Sequence, residues 1–149
     1  IIPHPTLDLA ACNPPYKAVG AGLRNPDERM ENARHECTCT LEDVAKAGRD
    51  VLRFGGRFCL CQRPERLADA INVFRSYGLE PKRLRLVQQR INTAPSLFLL
   101  EVRRGGKPGL SVLPTLIIED ENGGFSAEML EIYGNYKFGH EGGRADGRK

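Results

Sequence analysis

The sequence predicts an α/β fold, and three observations carry that reading. Short apolar runs alternate with segments of helical period, the early runs are far enough apart to need crossovers, and two later runs follow one another with no helix between them. The first run, Leu7-Asp8-Leu9-Ala10-Ala11-Cys12, is a strand. Over 41–54 the residues Leu41, Val44, Ala45, Gly48, Val51 and Leu52 fall on one helical face, with Thr40 as N-cap, Asp43 in the first turn and Gly55-Gly56 as the stop. A strand over 57–62 follows, carrying Phe58, Cys59 and Cys61. Pro64 then opens a helix in which Leu67, Ala70, Ile71, Phe74 and Tyr77 recur at three- and four-residue steps until Gly78. Such a succession requires right-handed parallel crossovers.

After Pro81 the order changes. The strands 84–87 and 97–102 are joined by a short loop, which makes them antiparallel. The run Leu116-Ile117-Ile118 pairs at an edge or covers the sheet, and Ser126 caps a short helix with Met129, Leu130 and Tyr133 that Gly134 ends. Between Gly20 and Glu36 the expectation is a long loop or weak helix, begun at Asn25-Pro26-Asp27-Glu28. From Lys137 onward glycines and mixed charges show no period, so residues 1–136 are expected to form one domain and 137–149 a disordered tail.

With 149 residues, 40% of them hydrophobic, the chain is long enough for one domain. No apolar run approaches the ~20 residues that span a bilayer and no signal peptide opens the chain, so a cytoplasmic protein without a membrane partner is expected. The cysteines Cys12, Cys37, Cys39, Cys59 and Cys61 are odd in number and none has C-x-x-C spacing. Reduced thiols are expected rather than a metal site.

The candidate chemistry lies in Asn13-Pro14-Pro15-Tyr16, directly after the first strand, where open α/β sheets place their sites. Two successive prolines fix φ and remove two N–H donors, giving a stiff corner rich in carbonyl acceptors. A planar exocyclic amine could donate to the Asn13 side-chain oxygen and the Pro14 carbonyl while the Tyr16 ring stacks on the flat group that bears it. Asn-Pro and Pro-Pro are also ordinary turn formers, and a tyrosine after a turn often packs.

Asn13-Pro14-Pro15-Tyr16 resembles the substrate-amine motif of S-adenosylmethionine-dependent methyltransferases that modify adenine N6, the glutamine amide or guanine N2. The resemblance continues through Ala33-Arg34-His35-Glu36, Cys39-Thr40-Leu41-Glu42-Asp43-Val44, Arg63-Pro64-Glu65-Arg66-Leu67, Tyr77-Gly78-Leu79-Glu80-Pro81-Lys82-Arg83, Arg104-Gly105-Gly106-Lys107-Pro108-Gly109 and Ile132-Tyr133-Gly134. This series is similar to the bacterial tRNA1(Val) adenine-N6 methyltransferases, from about Cys12 to Tyr133. It implies the C-terminal half of a class I Rossmann-like sheet, strands 4-5-7-6, with the N-terminal half and its glycine-rich cofactor loop absent. It also implies that Asn13 and Pro14 align the amine of the adenine 3′ of the anticodon, that Pro15 shapes the corner and that Tyr16 stacks on a flipped base. Asn13 would further touch the cofactor, S-adenosylmethionine. Lys17 stands where the family commonly has an aromatic residue.

Net charge is only +3, but between Pro81 and Lys107 the basic residues Lys82, Arg83, Arg85, Arg90, Arg103, Arg104 and Lys107 face Glu101 alone. A basic face beside a base-binding corner would hold tRNA phosphates; Lys82, Arg83, Arg85, Arg103, Arg104 and Lys107 are the candidates, with Arg104-Gly105-Gly106-Lys107 the best single element. A solvated strand face or plain turn chemistry is the competing reading. The functional alternatives are a non-catalytic RNA-binding fragment and a protein-glutamine methyltransferase. A half sheet also leaves one edge of the strand Leu7–Cys12 unpaired, so the isolated chain is expected to be poorly stable, to self-associate through that edge, or to be a fragment of a longer protein.

Overall fold

A computed structural model of the chain describes residues 5–14 and 39–137, the last three by backbone alone. Pro15, Tyr16, the segment 20–36 and the tail 138–149 lie outside the described residues.

The order is β1 (Leu7–Cys12), α1 (Leu41–Val51), β2 (Leu52–Gln62), a 3-10 turn (Pro64–Arg66), α2 (Leu67–Ser76), β3 (Leu79–Gln88), β4 (Leu97–Arg104), β5 (Ser111–Val112), β6 (Leu116–Ile117) and α3 (Ala127–Lys137). The strands form one sheet in the order β1-β2-β4-β3-β5, with β6 also on β3. β1 and β2 are parallel, with Cys12 opposite Leu60. β2 and β4 are antiparallel, as are β3 and β4. This is the expected 4-5-7-6 order, and among the described residues β1 is its edge.

α1 begins where its chemistry dictates. The Thr40 N–H donates to Asp43 Oδ2 at 3.0 Å and the Asp43 N–H to Thr40 Oγ1 at 3.2 Å, a reciprocal capping box. That backbone donor, together with the Thr40 side chain, holds the Asp43 carboxyl below its ordinary pKa. The helix was expected to run to Phe54 and stop at Gly55-Gly56; it ends at Val51 instead, and Leu52–Phe54 already belong to β2. The pattern could not separate the two because Leu52 is fully buried either way. Its backbone pairs with Leu7, and Gly55, at φ +80, takes up the irregular register before Arg57 meets Leu9.

α1 and α2 pack on one face of the sheet. Val44, Ala45, Ala70 and Phe74 meet Leu52, Phe58, Leu60, Leu79, Phe98, Leu100 and Val102 in a single core. Phe58 and Phe74 stack tilted, with ring centroids 5.6 Å apart. α2 closes near the expected point, with Gly78 at φ +75 and the Arg49 guanidinium 5.3 Å over the Tyr77 ring.

β3 is longer than the expected 84–87 and contains Pro81. The proline is tolerated because the register shifts between Pro81 and Arg83, and β5 pairs only from Arg83 onward, so no ladder needs its missing N–H. On the opposite face a smaller cluster of Val87, Leu116 and Met129 seats α3. Ser126 caps that helix as expected, accepting from the Met129 N–H at 3.2 Å. Gly134 does not end it: the helix runs on to Lys137, since one interior glycine costs only about 1 kcal/mol. No described helix is long and apolar enough to cross a membrane.

Candidate functional site

The face of the sheet away from α1 and α2 is covered by α3 only near Val87 and Leu97. The rest forms an open groove of about 520 Å³ that starts at the carboxyl end of β1. Ala11 and Asn13 form one rim, Cys59, Cys61 and Leu99 the floor, and Arg83, Arg85 and Leu113 the far wall. Strand alternation puts Cys59 and Cys61 here, two residues apart on one face. They are half-buried, and desolvation is the leading cause that pushes both thiols above their ordinary pKa. Cys12 is shifted the same way, again mainly by burial. Thiols held protonated are poor nucleophiles, so these line the groove as apolar surface.

Asn13 is exposed at the groove rim and Pro14 is buried behind it. An exposed carboxamide on a packed proline is a fixed polar handle at the mouth of an apolar groove. The groove's one carboxylate among the described residues, Glu101, is bound by the Arg83 guanidinium, with Arg57 4.0 Å away. That contact raises the Arg83 pKa further, through its hydrogen bond to Glu101 first and charge second. Among the described residues no group of three metal-ligating side chains occurs.

The candidate RNA contacts divide into two groups. Arg83 and Arg85 line the groove with Asn13. Arg85 also donates to the Pro114 carbonyl at 2.9 Å and pairs with Glu128. The others gather at the opposite end of the sheet, where Arg103 faces Arg57 and Arg104 faces Leu79. Arg104 donates to the Leu52 carbonyl, and Lys82 Nζ to the Lys107 carbonyl at 2.8 Å. Arg90, counted in the basic run, pairs with Glu119 at 2.7 Å. The local excess of positive charge is therefore partly cancelled by carboxylates distant in sequence. Leu99, Leu113 and Glu101 were missed as groove residues; the dense apolar run 97–102 shows no alternation from which the face shared by Leu99 and Glu101 could be read.

A parallel β1-β2 pair followed by antiparallel β4 and β3, with two helices on one face, is the carboxyl-terminal part of a Rossmann-like methyltransferase fold. A crystal structure described as a predicted O-methyltransferase, protein Atu636 from Agrobacterium tumefaciens, superposes with a TM-score of 0.67 at 19% identity, covering 89% of this chain and 53% of that one. In sequence, the chain is similar to a tRNA1(Val) (adenine(37)-N6)-methyltransferase of Parabacteroides distasonis, 30% identical over 127 residues, or 84% of this chain and 52% of the relative. The resemblance seen in the motif series is thus borne out, and the chain spans about half the length of the relative it matches. No family model matches the chain.

Proposed function

We propose that this chain is the substrate-side part of an S-adenosylmethionine-dependent methyltransferase of the cytoplasm that acts on adenine N6 in tRNA, at the base 3′ of the anticodon. The observation that carries this is the position of Asn13: a carboxamide at the carboxyl end of the strand that holds the fourth place in a methyltransferase-like sheet, backed by a buried proline and opening onto an apolar groove. The similarity to a tRNA adenine-N6 methyltransferase supports the choice of amine.

In this reading the Asn13 Oδ1 and the Pro14 carbonyl accept the two protons of the adenine amine and aim its nitrogen. Pro15 and Tyr16, outside the described residues, shape the corner and stack on the extruded base. Extrusion from a loop is cheap compared with a duplex. The cofactor, when bound, supplies an electrophilic methyl group, so the protein's task is alignment rather than strong acid or base catalysis. The described residues fit that cofactor only at its edge, through Asn13: Glu101, the one groove carboxylate, is taken by Arg83 and is not free for ribose hydroxyls. Residues 1–136 act as one partial methyltransferase domain in this reading.

The test is incubation of the chain with undermodified tRNA and methyl-labelled cofactor, with mass spectrometry of the digested nucleosides. N6-methyladenosine is the expected product, and Asn13→Ala should lower transfer by about 100-fold or more while tRNA binding stays near wild type. Full turnover in N13A, or label appearing only in protein glutamine, would overturn the assignment. Calorimetric titration with the cofactor alone separates an inactive but binding chain from one that does not hold the cofactor.

A further inference from the structure

Phe54 is the most exposed aromatic ring among the described residues, at 74% of its full exposure, and it is not loose. One edge rests on the turn after β4: a Cβ at Gly105 would fall 2.1 Å from one ring carbon and 2.4 Å from the next. Only glycine leaves room for the ring, and its φ of +69 suits glycine as well. That turn is itself fixed, by the Gly105 N–H to the Gly78 carbonyl at 3.0 Å and by Arg104 to the Leu52 carbonyl. The ring is thus held on one side and open to water on the other.

Its surroundings are cationic. Two carboxylates of this end of the sheet are taken, Asp8 by Arg53 and Glu80 by Arg75 at 3.2 Å. Arg103 and Lys107 are exposed, with no ion pair among the described residues, and Lys82 joins them through the Lys107 carbonyl. An exposed, pre-positioned ring amid unpaired cations suits a ligand with a flat face and a polyanionic backbone.

We propose that Phe54 is a stacking platform for an unpaired RNA base, with Arg103 and Lys107 holding the adjoining phosphates. The proposal rests on the tRNA reading for the identity of that RNA. Phe54 precedes Arg57, which is level with Leu9, and Leu9 lies three residues before Cys12, so the ring is more than about 10 Å of strand from the Asn13 corner. The platform is therefore a second contact, away from the Asn13 corner, and its role is affinity and orientation rather than methyl transfer.

The sequence contains no tryptophan, so F54W places a single indole reporter at the platform. Titration of F54W with tRNA should quench its emission over the same concentration range in which labelled tRNA shows binding by anisotropy, whereas heparin should bind without comparable quenching. Phe54→Leu, which keeps apolar contact with Gly105 but offers no ring, should weaken tRNA binding about tenfold. Arg103→Ala and Lys107→Ala should each reduce the slope of log affinity against log salt by about one. Bound tRNA with an unquenched indole, equal quenching by heparin, or F54L binding at wild-type strength would overturn the platform while leaving the methyltransferase reading intact. Failure of the wild-type chain to bind tRNA at all would overturn both.

Discussion

Truncating Phe74 to alanine tests the packing that holds the site in place. Phe74 is fully buried, the helix α2 offers only Ala70 beside it as a fully buried neighbour, and its ring meets Phe58 of β2 at 5.6 Å. Removing it loses the transfer free energy of the ring and leaves a cavity the rigid sheet cannot close, together about 3–5 kcal/mol. Against the roughly 5–15 kcal/mol typical of a domain, that is a large share, and the melting temperature should fall by on the order of 10 °C. Urea unfolding followed by circular dichroism is the assay, with Phe58→Leu and the double variant completing a cycle. The two changes should couple by roughly 0.5–3 kcal/mol because the rings touch. A loss under about 1 kcal/mol for Phe74→Ala, or strict additivity with Phe58→Leu, would refute the claim that α2 is fastened to the sheet through this pair.

Two further outcomes follow from charges and edges. The Asp43 carboxyl is held below its ordinary value by Thr40, and Glu119 by Arg90 and then Gln89. For depressed carboxyls the stabilisation is fully present above the unfolded value, about 4, and is lost as pH falls through the lower folded one. Thermal melts should therefore weaken below about pH 4, and Asp43→Asn should flatten part of that slope; an unchanged slope in the variant would discard the assignment. At β1, Leu7 and Leu9 are exposed on an edge that has no neighbour among the described residues, so sedimentation should show concentration-dependent association that Leu9→Lys suppresses. A wild-type chain that sediments as a monomer at high concentration would remove the edge from consideration.

Much of the fold was legible because its elements obey local rules. The Thr40 and Ser126 caps, the Gly78 stop and the antiparallel pairing of 84–87 with 97–102 each follow from a few residues, and each is present. The errors lie where local rules run in parallel. At 52–54 a buried leucine satisfies both helix and strand, and only pairing with Leu7 decides. Gly134 reads as a stop but is outweighed by the seven helical residues before it, and the helix runs three residues past it. β5 is two residues long and held by β3 alone, which no periodicity over so short a span can announce.

The site shows the same division more sharply. The place of Asn13 at a strand end was legible because its motif is contiguous: an apolar run, then the polar residue, then two prolines. The basic run was not, because charge counted along a chain takes no account of which carboxylates return to it. Arg85 meets Glu128 across 43 residues and Arg90 meets Glu119 across 29, so one groove cation and one beyond it on the same run are already neutralised. What remains unpaired lies at the other end of the sheet, beside Phe54, which in sequence was only part of an expected helix end. An RNA that reached the Asn13 corner would therefore find apolar surface with the Arg83–Glu101 and Arg85–Glu128 pairs there, and would meet the unpaired Arg103 level with Arg57, on the order of 13 Å of strand before Cys61. In the proposed tRNA reading, the target base falls to the Asn13 corner and the backbone to Arg103 and Lys107, so the salt dependence of binding should follow those two rather than Arg83 and Arg85.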